Sequence, residues 1–168
     1  MEHYGTIEGA LAYHQARGDV TWNADGVTED QQTAALIRAS NAIDGLYGDQ
    51  FPGKKTGGRN QTLAWPRTGA RDHCADEAIP DTEIPLGVEY ATYTAALQEL
   101  IQPGSLAPIV TPGRVTKREK VDSIEREFFG PESGPGANSM RPVLSAVEDA
   151  LRCLLSASGG GQVFLLRY

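Results

Sequence analysis

Apolar residues recur at helical spacing along the chain, most regularly after the segment TEDQ at residues 28–31. That segment has the form of a capping box, and two early acids suit the positive end of a helix dipole. The apolar positions that follow, at steps of three, four and three, are Leu36, Ala39, Ile43 and Leu46. One face of an α-helix has this spacing, and Gly48 is a suitable stop. The pattern predicts a central core helix from Thr28 to Gly48.

Three further stretches have a helical apolar stripe: residues 6–17, 84–102 and 139–155. The last of them would be capped by Ser139. Within the first, His14 shares the apolar face and is expected to be packed rather than to bind a metal. Trp22 stands alone in a turn-rich link and is expected to seal one end of the bundle.

Residues 114–129 alternate between apolar and charged positions. The alternation favours a short two-stranded ribbon that turns near Asp122 and Ser123, with a charged helix as the alternative. Together these patterns predict a mainly α fold, a small bundle of about four helices with a long basic loop at 48–71 and the ribbon at 114–129. We expect residues 1–158 to form one helical domain and residues 159–168 an extended arm.

The chain has 168 residues and a net charge of −7, which argues against a surface that coats nucleic acid generally. Its 19 glycines and 10 prolines predict long loops. The two cysteines, Cys74 and Cys153, are too few for a disulfide framework, so we expect free thiols and a reducing compartment. No secretory signal and no membrane-spanning stretch are evident, which predicts a soluble intracellular product or part of a particle assembled inside a cell.

Charge changes sign sharply within the middle of the chain. Residues 53–71, called the basic loop below, carry five cations and no acid, whereas residues 72–99 carry acids and no Lys or Arg. Unlike charges could meet between neighbouring copies or within one chain, or both segments could simply be solvated. We expect the basic loop to contact a neighbouring subunit or partner, with its Trp as the anchor. The candidate contact residues are Lys54, Lys55, Arg59, Trp65, Arg67 and Arg71.

Three glycines separate the last predicted helix from a final segment that is too apolar to remain an exposed tail without contacts. An extended segment of this kind pairs with a sheet edge, either a partner's or its own. The candidate docking residues are Gln162, Val163, Phe164, Leu165, Leu166, Arg167 and Tyr168.

Motifs for catalysis, phosphate binding or metal binding are weak in this sequence. Residues 48–54 almost form a phosphate-binding loop, but Lys55 stands where that motif needs Ser or Thr for magnesium. His73 and Cys74, with Asp72 and Asp76 nearby, lack a second Cys or His at ligand spacing. We therefore expect no enzyme activity, no cofactor and no metal.

Several segments resemble a known family. They are AYHQARG at 12–18, AALIRAS at 34–40 and, most specifically, QTLAWPR at 61–67, continued by residues 84–91 and 120–125. This pattern resembles phage and prophage proteins labelled DnaT-like single-stranded-DNA-binding. It is similar, in the same helical pattern, to head-to-tail connector (adaptor) proteins of tailed phages.

The two resemblances imply different functions. A connector implies a homo-oligomeric ring of about twelve copies at the virion neck, assembled in the host cytoplasm. Its C-terminal arm would dock on the portal protein, a neck or tail-completion protein would bind below, and genomic DNA would pass through the centre. The other resemblance implies a protein that coats single strands.

The residues themselves favour the connector at this stage. Single-strand binders combine a basic groove with stacking aromatics, whereas this chain is acidic and only Trp65 lies within its basic loop. In the connector, Trp65→Ala would disturb ring assembly and leave the helical bundle folded.

Overall fold

The computed structural model describes residues 2–107 and 144–155, together with the backbone of residues 119–121 and 124–126. Helices dominate the described part, which confirms the mainly α prediction. The four helices are α1 (Ile7–Gln15), α2 (Glu29–Tyr47), α3 (Leu86–Ile101) and α4 (Ser145–Leu151). Among the described residues no helix is both long and apolar enough to span a membrane.

The central helix, α2, begins where the sequence predicts. Thr28 Oγ1 accepts a hydrogen bond from the Gln31 N–H at 3.3 Å, and Gln31 Oε1 accepts one from the Thr28 N–H at 3.0 Å. Both halves of the capping box are therefore present, and two otherwise free backbone donors are satisfied. Gly48 caps the C-terminal end and donates to the Asp44 carbonyl.

The hydrophobic core forms where α3 packs against α2 and against α4, and α1 packs on both α2 and α3. Leu36, Ala39 and Ile43 of α2 are fully buried, as the apolar stripe predicts. They face the small buried residues Ala91 and Ala95 of α3 within the same core cluster. Small side chains let the two helix backbones approach closely.

Trp22 closes one end of the bundle. Its side chain is fully buried in a 3₁₀ turn, Thr21–Asn23, and its Nε1 donates to the Ile7 carbonyl at 3.3 Å. Gln32 of α2 donates to the Trp22 carbonyl at 2.7 Å. His14 is also buried, so the predicted packing roles of Trp22 and His14 are confirmed.

Three antiparallel pairs of short strands accompany the helices: β1 (Lys54–Lys55) with β2 (Arg67–Thr68), β3 (Arg71–Asp72) with β4 (Glu77–Ala78), and β5 (Glu119–Val121) with β6 (Ile124–Arg126). The last pair is the predicted ribbon, with Val121 opposite Ile124. The first pair falls in the segment predicted as a long loop, and the second follows it, where the sequence predicts no element. Two-residue strands are too short to show alternation, which is why the sequence pattern does not reveal them.

Two predictions about the end of the chain are wrong. The last helix begins at Ser145 and ends at Leu151, so it is shorter than residues 139–155, and Ser139 lies outside the described residues. Cys153 is not a free packed thiol, because its Sγ is bonded to that of Cys74, 79 positions away in the chain. The fold brings the two segments together, and spacing alone gives no sign of that contact.

Candidate nucleic-acid interface

The basic loop folds as a hairpin whose strands are β1 and β2, with Lys54 opposite Thr68 and Lys55 opposite Arg67. Gly53 precedes β1 with a φ of 72°, in the left-handed region that glycine favours. A Cβ at Gly53 would collide with the Thr68 carbonyl oxygen across the hairpin. The loop therefore has a defined path instead of the open one that its glycine content suggests.

Arg67 points inward and holds the base of this hairpin. Its side chain donates to the carbonyls of Pro52 (2.6 Å), Gly53 (2.8 Å), Phe51 (3.1 Å) and Ala64 (3.2 Å). Only 8% of the residue is exposed, and burial lowers the pKa of its guanidinium. Arg67 is thus an internal cation that binds backbone carbonyls, and its predicted contact with a partner needs correction.

Trp65 also lies inside the chain. Its exposed fraction is 1%, and its ring packs in a T-shaped arrangement with the Phe51 ring at a centroid distance of 5.6 Å. The peptide bond to Pro66 is cis. The prediction that Trp65 anchors a partner is therefore wrong for this folded chain, because the indole is already enclosed by the protein's own core.

A polar network joins this loop to α2 and to the N-terminus. The Tyr4 hydroxyl donates to Asp44 Oδ1 at 2.7 Å and accepts from the Trp65 N–H at 3.1 Å. Asp44 Oδ2 accepts from the Ala64 N–H at 2.7 Å. Burial is the largest cause that raises the pKa of both Asp44 and Tyr4. The network fixes the segment 63–65 against the bundle.

The other predicted cations of the basic loop stay near the surface. Lys55 is half-buried and its Nζ donates to the Gln61 carbonyl at 3.0 Å. Arg71 is exposed and pairs with Asp76 at 2.7 Å. Lys54 and Arg59 are exposed and make neither a side-chain hydrogen bond nor a salt bridge within the described part of the chain. These two are the cations that the loop offers to a partner.

A second surface combines aromatic rings with a cation, and the sequence analysis missed it. The Arg17 guanidinium carbon lies 3.4 Å from the centroid of the Tyr13 ring and 5.9 Å from that of Tyr90. The two tyrosine rings are 5.0 Å apart. Tyr90 is 40% exposed and Arg17 is exposed. We call Tyr13, Arg17 and Tyr90 the stacking surface.

Buried aromatic residues support the stacking surface from below. Tyr13 contacts Tyr93 at 5.6 Å between centroids, and its hydroxyl shares a 2.9 Å hydrogen bond with Thr94 Oγ1. His14 Nε2 donates to the Tyr93 carbonyl at 3.1 Å. Because a carbonyl only accepts, the proton of the neutral imidazole lies on Nε2. Burial lowers the pKa of His14, which keeps the ring uncharged.

The i,i+4 spacing of Tyr13 and Arg17 was visible in the sequence and indicates that they share one helix face. Their proximity to Tyr90 depends on how α1 packs against α3, which no local pattern gives. The segment from Tyr4 to Thr6 contacts the basic loop and the residue that supports the stacking surface. Tyr4 binds the basic loop, and the Thr6 N–H donates to the Tyr93 hydroxyl at 3.2 Å.

The predicted docking residues of the C-terminal arm, 162–168, lie outside the described residues. Their binding to a portal stays a prediction.

A comparison with family models finds one whose description is "Putative DnaT-like ssDNA binding protein", and the match covers residues 1–168. No curated protein and no solved structure matches the chain. Because the family model spans the whole sequence, the chain belongs to the family of DnaT-like proteins that this description names.

Proposed function

We propose that this protein binds single-stranded DNA and that bases stack on the surface formed by Tyr13, Arg17 and Tyr90. The observation that carries the proposal is the exposed Tyr90 ring beside an Arg17 guanidinium that already lies over Tyr13. Single-strand binders stack bases on aromatic rings and arginine planes without regard to sequence. The family description, which names ssDNA binding, supports the same function.

The charge of the chain limits how such binding would work. With a net charge of −7, phosphate contacts are few, so stacking has to supply much of the affinity. For single strands, the slope of log K against log salt is about −0.7 for each phosphate contact. Arg17 alone would give a slope of about −0.7, whereas added contacts from Lys54 and Arg59 would bring it to about −2.

The test is fluorescence anisotropy with a labelled oligothymidylate at several salt concentrations. Tyr90→Ala should weaken binding by about 1–3 kcal/mol, roughly 5- to 150-fold in Kd, the usual loss of one stacking contact. Leu86→Ala is the matched control, because Leu86 is a 63% exposed apolar residue on the same helix. Equal affinities of Tyr90→Ala, Leu86→Ala and the parent chain would rule out the stacking surface as the binding site.

A second candidate function is the head-to-tail connector, in which copies of the chain form a ring under a phage portal. The observation that favours it is that few residues of the two oppositely charged segments pair with one another within the described part of the chain. Between the basic loop and residues 72–99, the described part of the chain contains one salt bridge, Arg71 to Asp76. Exposed Lys54 and Arg59 on one side, and exposed acids such as Glu83 on the other, remain available to neighbouring copies.

The connector is tested by co-sedimentation with the portal ring encoded by the same genome. The full chain is compared with a chain cut after Gly159, which lacks the predicted arm. Binding by the full chain alone would support the connector and place the contact in the arm. Binding by neither, together with tight binding of the labelled single strand, would exclude the connector and leave the first function.

A further inference from the structure

The turn between β3 and β4 is fixed by its own side chains. Asp72 Oδ1 accepts hydrogen bonds from the N–H groups of Cys74 at 2.8 Å and Ala75 at 2.9 Å. Arg71, which precedes Asp72 in β3, closes the turn: its Nε donates to Asp76 Oδ1 at 2.8 Å and its Nη2 donates to the Asp76 carbonyl. Cys74 is therefore held two residues after Asp72 in a rigid turn.

The segment after α4 is held against this turn by more than the bond between the sulfurs. The His73 N–H donates to the Cys153 carbonyl at 2.9 Å. On either side of Cys153, Leu151 and Leu154 are buried in the core. These contacts do not depend on the disulfide, so Cys74 and Cys153 should stay close together after reduction.

Reduction of the disulfide would leave a set of potential metal ligands at the turn between β3 and β4. A carboxylate oxygen of Asp72 and the Sγ atoms of Cys74 and Cys153 lie within 4.8 Å of one another. In a tetrahedral zinc site, bond lengths of about 2.0–2.3 Å separate ligand atoms by about 3.5–3.8 Å. Shifts of roughly 1 Å, at an exposed turn, would thus bring all three atoms to one ion. Asp72 Oδ2 has no hydrogen bond within the described part of the chain and is free to serve.

We propose that the reduced chain binds Zn²⁺ through Asp72, Cys74 and Cys153, with a fourth position open to water or a partner's ligand. Two molecules of a thiol reductant would cleave the disulfide, leaving two protein thiols and one reductant disulfide. Zinc would then displace one proton from each thiol and bind both thiolates and the carboxylate. Two soft sulfur ligands favour zinc over magnesium or calcium. The disulfide and the zinc site are alternative states of the same two cysteines.

The sequence alone predicts no metal here, because no second Cys or His lies near Cys74. The missing thiol comes from a segment 79 positions away, which only the fold brings to the turn. The site is independent of both functions proposed above, since its ligands belong neither to the stacking surface nor to the arm.

The experiment uses the full chain, reduced with a phosphine that is then removed under argon. Co²⁺ replaces zinc as a spectroscopic probe, because thiolate coordination gives a charge-transfer absorption that carboxylates alone do not produce. The expected result is one Co²⁺ per chain with that absorption, displaced by Zn²⁺. The oxidised chain should show no such absorption.

Two variants separate the proposed site from a simple pair of thiols. Asp72→Asn should weaken zinc binding by at least about tenfold, since loss of even an outer partner commonly costs that much. Asp81→Asn, which changes an exposed acid outside the trio, should bind as the parent does. Circular dichroism confirms that each variant is folded. Equal zinc affinity of Asp72→Asn and Asp81→Asn, or cobalt binding without thiolate absorption, would overturn the proposal.

Discussion

The hydroxyl of Tyr4 donates a 2.7 Å hydrogen bond to the carboxylate of Asp44, which lies 40 residues further along the chain. The same hydroxyl accepts from the Trp65 N–H, and the same carboxylate accepts from the Ala64 N–H. The side chains of Tyr4 and Asp44 thereby accept hydrogen bonds from two backbone N–H groups within residues 61–67, the segment that carries the most specific family motif. The conformation of the basic loop depends on this pair as much as on its own sequence.

Tyr4→Phe should therefore destabilise the protein. The change leaves the Trp65 N–H without its partner and takes one donor from Asp44, so we expect a loss of about 1–3 kcal/mol in the free energy of unfolding. Urea denaturation followed by circular dichroism measures it. Tyr90→Phe is the control, because the Tyr90 hydroxyl makes no hydrogen bond to the described residues. If both variants unfold at the same urea concentration, the Tyr4 hydroxyl does not stabilise the loop.

Trp65→Ala should act on folding before it acts on any assembly. The indole is 1% exposed, and truncation of a buried Trp to Ala costs about 3–5 kcal/mol. The midpoint of thermal unfolding should therefore fall. Val20→Ala, at a residue that is 75% exposed, should change stability by less than about 0.5 kcal/mol. A Trp65→Ala chain as stable as the Val20→Ala chain would restore the earlier view of Trp65 as a partner contact.

The helices could be predicted from the sequence because their signals are local. The capping box at Thr28 and the stripe through Leu36 and Ile43 depend only on residues a few positions apart, and both are present in the structure. Burial of Trp65 was missed because it depends on Tyr4 and Asp44, which lie 61 and about 20 positions away. The Cys74–Cys153 contact was missed for the same reason, over 79 positions.

For the candidate site, too, the sequence predicts some features correctly and misses others. Lys54, in strand β1, and Arg59, between the two strands of the hairpin, stay exposed as the charge pattern indicates. Arg67 is equally charged in the sequence, yet it is buried, because four carbonyls converge on it in the folded loop. Charge along the chain therefore identifies a basic segment but does not tell which of its cations are available to a partner.

Glu99 should make the free energy of unfolding depend on pH in the acid range. Its carboxylate is 1% exposed and accepts from Arg38 Nε at 2.7 Å, from the Gly104 N–H at 2.7 Å and from the Leu106 N–H at 2.9 Å. Burial opposes the charge, but these donors outweigh it and lower the pKa of Glu99. A depressed pKa in the folded state contributes stability above the unfolded value of 4.5, and that stability is lost as the pH falls below it.

Glu99→Gln tests this contribution. At pH 7 the variant removes the charged acceptor of the Arg38 guanidinium and of two backbone N–H groups. Because Arg38 is partly exposed and water can solvate it, we expect a loss of about 1–3 kcal/mol, the usual cost of losing hydrogen bonds to a charged group. Urea unfolding at pH 7 and at pH 3.5 measures the difference between variant and parent, which should be smaller at pH 3.5. Glu83→Gln, at an exposed acid, serves as control. A difference that stays the same at both pH values would show that the charge of Glu99 does not carry the stabilisation.

His14 should make the parent chain less stable as the pH falls below about 6.5. Burial lowers its folded pKa, so between that value and 6.5 the unfolded chain binds more protons than the folded one. Stability therefore falls with falling pH across this window and stops changing below the folded pKa. Each unit of pKa difference is worth about 1.4 kcal/mol.

His14→Gln keeps an N–H for the Tyr93 carbonyl but removes the titration, so its unfolding free energy should vary less with pH between 6.5 and 5 than the parent's. Val20→Ala, which changes an exposed residue without a titrating group, is the control and should keep the parent's slope. Equal slopes for the parent and His14→Gln would show that folding does not lower the pKa of His14, contrary to the effect expected from its burial.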